Sequence, residues 1–258
     1  MTRCADPSLF AGIASFLSAS TGGRFRLIIG YESEEGAELA REGATIIEGA
    51  GGHALLMPRA LPAPVTAFSV RMVMADGAVY VGGGGEALVY LGGRAVDRSR
   101  EGAPASESDL ARIDEAVAAC ADVSAFPRAE GGWESVGEGM VGAYVDRAAS
   151  RIASLVQGSG GFAGVSIDEP SGLLAALLER LGVPIVEAGA SLTLRVASDG
   201  RTLRASLSDE QVRAALSDAA STSPAIPAGA GMYCVDPAFV MDADAISAGA
   251  ALAVLVAR

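Results

Sequence analysis

The sequence predicts an α/β protein made of two three-layer α/β/α domains with mixed, mostly parallel sheets. Three observations carry this expectation. Short apolar runs, RLIIG at 26–30, HALLM at 53–57 and AVYV at 78–81, have the length and composition of buried strands. Segments with helical spacing of apolar residues separate them, which implies crossover connections and a parallel sheet covered on both faces. After a turn-rich stretch at 123–138 the same alternation starts again, so the domains are placed at 1–136 and 137–258.

Taken in order, Leu9, Ile13, Phe16 and Leu17 place a helix over 8–19, and a second helix with an acidic face covers 34–48. A third helix is opened by proline in PAPVTAFSVRMVM at 62–74. ALVYL at 87–91 follows the strand at 78–81 too soon for a crossover and is expected to run antiparallel to it. Ser106 and Asp109 have the spacing of a capping box for the helix holding Leu110, Ile113, Val117 and Cys120. Trp133 is expected to anchor the turn-rich segment against a domain.

Met140, Val141, Tyr144, Val145, Ala148, Ile152 and Leu155 form one apolar stripe, read as a helix leading into the second domain. FAGVSID at 162–168 and VPIVEA at 183–188 read as strands flanking a leucine-rich helix at 173–182. LTLRVASDGRTLRA at 192–205 reads as a hairpin turning at Asp199-Gly200, a pair suited to positive φ. Ser208 with Gln211 caps a short helix, PAIPAGAG at 224–231 is loop, and 239–257 is a last apolar helix whose first turn holds Asp242 and Asp244.

Composition narrows the function classes. A formal net charge of -12 repels phosphate backbones and anionic lipid, so neither nucleic acid nor a membrane is expected as a partner. No apolar run approaches the roughly 18 residues of a membrane span. MTRCADPS lacks the apolar core of a signal peptide, and the expected location is the cytoplasm. Cys4, Cys120 and Cys234 are scattered and His53 is the single histidine, so a zinc site, which needs about four N or S ligands, is not expected. The chain has no lysine and no asparagine. Any chemistry must therefore use arginine, carboxylates, hydroxyls, thiols, one imidazole and the backbone.

One motif stands out: Gly82, Gly83, Gly84 and Gly85 directly follow the strand at 78–81. The carboxyl ends of strands are where open α/β sheets bind ligands, and unhindered amides can form an anion nest. Arg59 and Arg94 are the basic residues near it in sequence, while Glu32, Glu34, Glu35 and Glu86 oppose an anion. A ligand-binding loop and a plain flexible turn both remain open, the turn being preferred. His53 reads as a structural residue at a strand edge and Arg71 as one half of an ion pair. The carboxylates of 32–48 read as a solvated face, and Ser33 and Ser171 as helix caps.

Residues 61–77, LPAPVTAFSVRMVMADG, resemble the segment before the catalytic loop of the α-D-phosphohexomutases, the phosphoglucomutase and phosphomannomutase family. That family reads approximately PTPxxxFAVRxxxADxG, then a strand, then a TASHNP-type loop. Pro62, Pro64, Phe68, Val70, Arg71, Ala75 and Asp76 match at the same spacing. RLIIGYES, SDLARIDEAV, GAYVDR at 142–147 and FAGVSIDEPSGLLAALLERLGVPIVEAG are similar to further family segments in the same order, so the resemblance covers residues 8–189. The family has four domains, and this chain has room for about two, the resemblance implying the first two.

The resemblance implies a degenerate site. Gly84, or Gly83 after one deletion, falls where the family has the serine that is phosphorylated, so no catalytic residue is assigned. Gly30-Tyr31-Glu32-Ser33-Glu34 puts carboxylates where the family has the arginines of a GRDTR-like turn. The DGDAD-type loop that holds Mg²⁺ in the family corresponds to LTLRVASDGR, with Asp199 as its lone carboxylate, so no metal and no cofactor are expected. The implied protein is a pseudoenzyme of carbohydrate metabolism, acting by binding or association. A sugar-phosphate-binding enzyme with altered chemistry, and an assembly subunit pairing with itself or with a full-length mutase through the apolar segment Phe239 to Val256, are the alternatives. The ligand candidates are Gly82, Gly83, Gly84, Gly85, Arg59 and Arg94, and the candidate ligand is a hexose phosphate.

Overall fold

The computed structural model describes residues 3–120, 123–154, 163–217 and 231–256. Leu155, Phe162 and the loop at 224–230 lie outside the described residues. The chain divides into two compact units, Met1–Glu138 and Gly139–Arg258.

The first unit is built on a mixed sheet. Its strands are β1 (Arg3–Cys4), β2 (Arg26–Tyr31), β3 (His53–Leu56), β4 (Gly77–Val81), β5 (Glu86–Leu91), β6 (Ala103–Pro104) and β7 (Glu134–Ser135). They lie in the order β1-β5-β4-β2-β3-β7, with β6 paired to β5. β4, β2, β3 and β7 are mutually parallel, and β5 returns antiparallel to β4, with Val81 opposite Ala87 and Gly77 opposite Leu91.

Alternation along the strands sorts side chains onto two faces. Leu27, Ile29, Val79, Val81, Val89 and Leu91 join one core with the helices α1 (Pro7–Thr21), α2 (Glu34–Gly49) and α4 (Glu107–Ala119). Each such buried Leu, Ile or Val contributes roughly 1.5–3 kcal/mol. The opposite face, with Ile28, Gly30, Ala78 and Tyr80, is covered by α3 (Ala63–Met72), whose residues Ala63–Val70 are all buried. The helix sits tight on the sheet: a Cβ on Gly30 would come within 2.0 Å of Thr66 Oγ1.

The helix ends follow from local chemistry. Asp6 caps α1 by accepting from the Leu9 N–H at 2.9 Å, Pro7 stands in the first turn, and Gly22 closes the helix at φ 78°. Ser33 caps α2, and Ser106 and Asp109 form a reciprocal capping box on α4. α3 ends differently, because the Ala75 N–H reaches back to the Val70 carbonyl at 2.9 Å and Met74 takes the left-handed position at φ 51°. Glycine normally fills that position.

The turn-rich segment lies within the first unit. Trp133 packs against its core, the Ala129 N–H donates to the Thr45 carbonyl, and β7 extends the sheet beside β3. Two-residue strands such as β1, β6 and β7 carry too little periodicity to be read from sequence.

The second unit has a three-stranded sheet in the order β10-β9-β8, formed by β8 (Val165–Asp168), β9 (Leu192–Val196) and β10 (Leu203–Ala205). β8 and β9 are parallel, and β9 and β10 form an antiparallel hairpin. Its helices are α5 (Glu138–Ala153), α6 (Leu173–Arg180), α7 (Asp209–Ala215) and α8 (Ala245–Val256). Val141, Tyr144, Val145, Ala148 and Ile152 of α5 are buried, as the stripe predicts.

Two expectations are corrected here. The strand at 183–188 shrinks to a single bridge between Val165 and Ile185: Pro184 has no N–H to give, and Ile185 is left exposed. The last helix starts at Ala245 rather than 239. The Phe239 and Val240 N–H groups turn back onto the Asp236 carbonyl, Asp242 is buried ahead of the helix, and Asp244 is its capping residue through Ser247 N–H at 3.0 Å. Ala245 to Val254 are all buried against α6, α7, β9 and β10. Of the segment Phe239 to Val256 offered for association, Ala245 to Val254 are thus taken up by their own unit, while Val256 is exposed.

Candidate functional site

The glycine run lies at the carboxyl end of β4, where it makes a tight connection to β5. The Gly82 N–H donates to the Glu86 carbonyl at 2.7 Å, the Gly85 N–H donates to the Gly82 carbonyl at 3.1 Å, and Gly85 adopts φ 76°. The Ala5 N–H donates to the Gly85 carbonyl at 2.8 Å, tying the loop to β1. The Gly83 N–H donates to Glu32 Oε2 at 2.9 Å. A carboxylate of the chain itself therefore occupies the amide that an incoming anion would need. The loop is not crowded, since a Cβ on Gly83 or Gly84 would meet nothing nearer than 3.5 Å.

Of the remaining ligand candidates, Arg59 is engaged elsewhere and Arg94 lies away from this loop. Arg59, after β3, is paired with Glu138 at 3.0 Å. Arg94 stands at the opposite, amino end of the parallel strands, because β5 carries the chain back across the sheet before that residue is reached. There it pairs with Asp76 at 3.4 Å and donates to the carbonyls of Thr21, at 3.1 Å, and Arg24. The expectation that Arg94 lies near the glycines is corrected on this point.

The hairpin between β9 and β10 occupies the place assigned to a metal loop. Gly200 adopts φ 73°, its N–H donates to the Ala197 carbonyl at 2.8 Å, and Asp199 Oδ1 accepts from the Arg201 N–H at 2.9 Å. One carboxylate engaged in its own turn does not fit a hard divalent cation, which takes six or so oxygens. Among the described residues no group of three or more His, Cys, Asp or Glu is placed to hold a metal ion.

Carboxylates near this hairpin serve the core. Arg201 grips the fully buried Asp242 through two hydrogen bonds, Nε to Oδ2 at 3.1 Å and Nη2 to Oδ1 at 3.0 Å. Asp244 accepts from the Tyr144 hydroxyl at 2.8 Å and the Ser247 hydroxyl at 2.6 Å. Burial raises both Asp244 and Tyr144 above their ordinary values, and for Asp244 the hydrogen bonds from Ser247 and Tyr144 only partly offset it. Burial likewise pushes the Cys234 thiol up to about 12, with Asp244, Asp236 and Asp242 adding to the effect. The partner of Asp242, 41 residues away in sequence, had no local signal.

Other sequence candidates have structural roles. His53 Nδ1 lies 3.2 Å from Glu48 Oε1, which also accepts from the Ala54 N–H at 2.7 Å. Arg71 Nε donates to the Glu101 carbonyl at 2.6 Å, a backbone tie that joins α3 to the turn before β6. Leu173 N–H donates to Ser171 Oγ at 3.3 Å at the start of α6. Asp76 clips the start of β2 to the turn after β5, its Oδ2 accepting from the Arg26 N–H at 3.0 Å and its Oδ1 from the Arg94 N–H at 3.1 Å.

A cleft of about 880 Å³ opens at the amino ends of β2, β3 and β4. Arg26, His53, Asp76, Arg94 and Arg98 are among the residues that line it, with Met74 on its wall. Sequence reading missed this cleft, since its residues come from four stretches of chain, 24–26, 51–53, 74–76 and 93–101, that only the sheet brings together.

Topology and loop placement define the class: an α/β protein with a phosphohexomutase-like fold. A protein assigned as a phosphomannomutase from Thermus thermophilus superposes with a TM-score of 0.71 at 14% identity, over 97% of this chain and 75% of that one. The open form of pp63/parafusin, a phosphoglucomutase from Paramecium, superposes with a TM-score of 0.54 at 9% identity, over 82% of this chain and 52% of that one. No protein-family model and no curated protein matches the sequence. No helix among the described residues is long and apolar enough to cross a membrane.

Proposed function

We propose that this chain is a phosphohexomutase-like pseudoenzyme of carbohydrate metabolism that does not transfer phosphoryl groups through its glycine loop and acts by binding or association. The observation that carries this reading is the loop itself: Gly82 to Gly85 offer no oxygen to phosphorylate, and Glu32 holds the Gly83 amide. Enzyme-mediated phosphoryl transfer needs a nucleophile, and a carboxylate fixed at the loop repels the group to be transferred. The unsuitable hairpin at Asp199 points the same way.

The test is a mutase assay of the purified protein with glucose 1-phosphate and mannose 1-phosphate, the corresponding bisphosphates and Mg²⁺. Turnover no faster than buffer, and no stable phosphorylation of the chain, is the expected result. Robust turnover would overturn the reading. Association, with a second copy or with a full-length mutase, is measured by light scattering on the chain alone and mixed with such a mutase. A monomer in both experiments would leave a small-molecule ligand, such as a hexose phosphate, as the binding partner.

A further inference from the structure

The amino-end cleft has an electrostatic character opposite to that of the chain. Four guanidinium groups, those of Arg24, Arg26, Arg94 and Arg98, line it against two carboxylates, Asp76 and Glu101. Asp76 accepts from the backbone N–H groups of Arg26 and Arg94 and pairs with the Arg94 guanidinium at 3.4 Å, and Glu101 Oε1 accepts from the Gly93 N–H at 3.4 Å. His53 faces the cleft with its ring between Glu48 and Glu134.

In a chain with 31 carboxylates to 19 cationic side chains, exposed arginines readily find acidic partners. Arg100 pairs with Asp109, Arg128 with Glu42, and Arg147 with Asp236. The side chains of Arg24 and Arg98 have no hydrogen bond or ion pair among the described residues, and that of Arg26 spends only Nη1, on the Val73 carbonyl at 3.2 Å. Gathering like charges around one concavity without neutralising them costs stability. That cost is offset when an anion sits among them.

On the wall Met74, 72% exposed, closes α3 in the left-handed position at φ 51°. Opposite it, Gly93 adopts φ 50° with its Cβ position only 2.7 Å from Asp76 Oδ1, which lets the backbone of the turn close on the carboxylate that aims Arg94.

We infer that this cleft binds a small phosphorylated molecule carrying at least two negative charges. Guanidinium forks match phosphate oxygens two at a time, and the volume is that of a small-molecule site rather than a polymer groove. The site lies at the other end of the sheet from the glycine loop, so it stands whether or not the loop is catalytically silent.

Pyrophosphate is the probe, titrated calorimetrically into the full chain at about 0.05 M and about 0.15 M salt, spanning the range over which exposed charges become screened. Saturable one-site binding is expected. Arg24→Ser with Arg98→Ser should weaken it at least about tenfold. These exposed side chains hold nothing in place, so the melting temperature should stay at the wild-type value. The charge-matched pair Arg204→Ser with Arg213→Ser, in the second unit, should bind as wild type, and so should Gly83→Asp. Absence of saturable binding, wild-type affinity in the Arg24/Arg98 variant, or equal loss in the charge-matched control would each overturn the inference. Mutase turnover with cleft binding intact would overturn only the preceding reading, and loss of cleft binding without turnover only this one.

Discussion

Replacing Arg201 by methionine should be among the most damaging single changes in the second unit. Its guanidinium holds Asp242 through bonds of 3.1 and 3.0 Å, with side-chain exposures of 11% and 0%. Methionine keeps most of the stem but removes both guanidinium donors from the carboxylate, which still accepts from the Ala243 N–H at 2.7 Å. Breaking a buried pair from one side costs about 3–5 kcal/mol, because the surviving charge cannot be rehydrated. With a urea dependence of about 2 kcal/mol per molar, the midpoint should fall by about 2 M. Far-UV circular dichroism is the readout, since Trp133, the single tryptophan, belongs to the first unit. Replacing both partners, Arg201→Met with Asp242→Leu, should recover most of the loss. A cost below about 1 kcal/mol for Arg201→Met, the scale of an exposed pair, would refute the reasoning and mean that water reaches Asp242.

Thr66 is fully buried and its Oγ1 has no hydrogen-bond partner among the described residues, so Thr66→Val, which exchanges hydroxyl for methyl, should raise stability by about 1 kcal/mol in a chemical melt. Cys234 is buried with its thiol pushed up to about 12, whereas Cys4 is exposed. A thiol reagent at pH 8 should therefore modify Cys4 in the native protein and reach Cys234 only on unfolding, as peptide mass mapping will show. Burial alone would raise Asp109, but hydrogen bonds from Ser106 and Arg100 outweigh it and hold the carboxyl below the usual range. Its contribution is then complete above the unfolded value of about 3.9 and is lost as pH falls through the lower folded value. The stability gap between wild type and Asp109→Asn should be flat above about pH 5 and close below about pH 4.

The parts of the fold legible in sequence are those whose signal is local. β2, α2 and β4 show their period within one window, and Ser106 and Asp109 specify their capping box in four residues. Positions set by distant pairing were not legible. Arg94 lies nine residues after Gly85, yet β5 separates them, and six residues of antiparallel strand span about 20 Å at 3.4 Å each. The cleft escaped notice for the same reason: Arg24 and Arg26 flank the start of β2, Arg94 and Arg98 follow β5, and only the register of β2, β4 and β5 brings them to one end. The glycine run was visible as a motif, but its hydrogen bond to Glu32, 51 residues away, decides what its amides face.

That bond belongs to a wider inversion of charge along the sheet. In an α/β unit the amino ends of helices point towards the carboxyl ends of the strands, and their positive partial charge makes that edge the ordinary place for anions. Here the edge is answered from within. Ser33 caps α2, Glu34 and Glu35 occupy its first turn, and Glu32 takes the Gly83 amide, so the attractions an external phosphate would exploit are already met by carboxylates. At the amino edge, where helix carboxyl ends favour cations, four arginines gather and three, Arg24, Arg26 and Arg98, lack acidic partners for their side chains among the described residues. Neutralising Glu32 by Glu32→Gln removes one charge from the first edge but supplies no nucleophile, and leaves Glu34 and Glu35 in place. An anion added to that variant should therefore still be held by Arg24 and Arg98, and catalysis should not return.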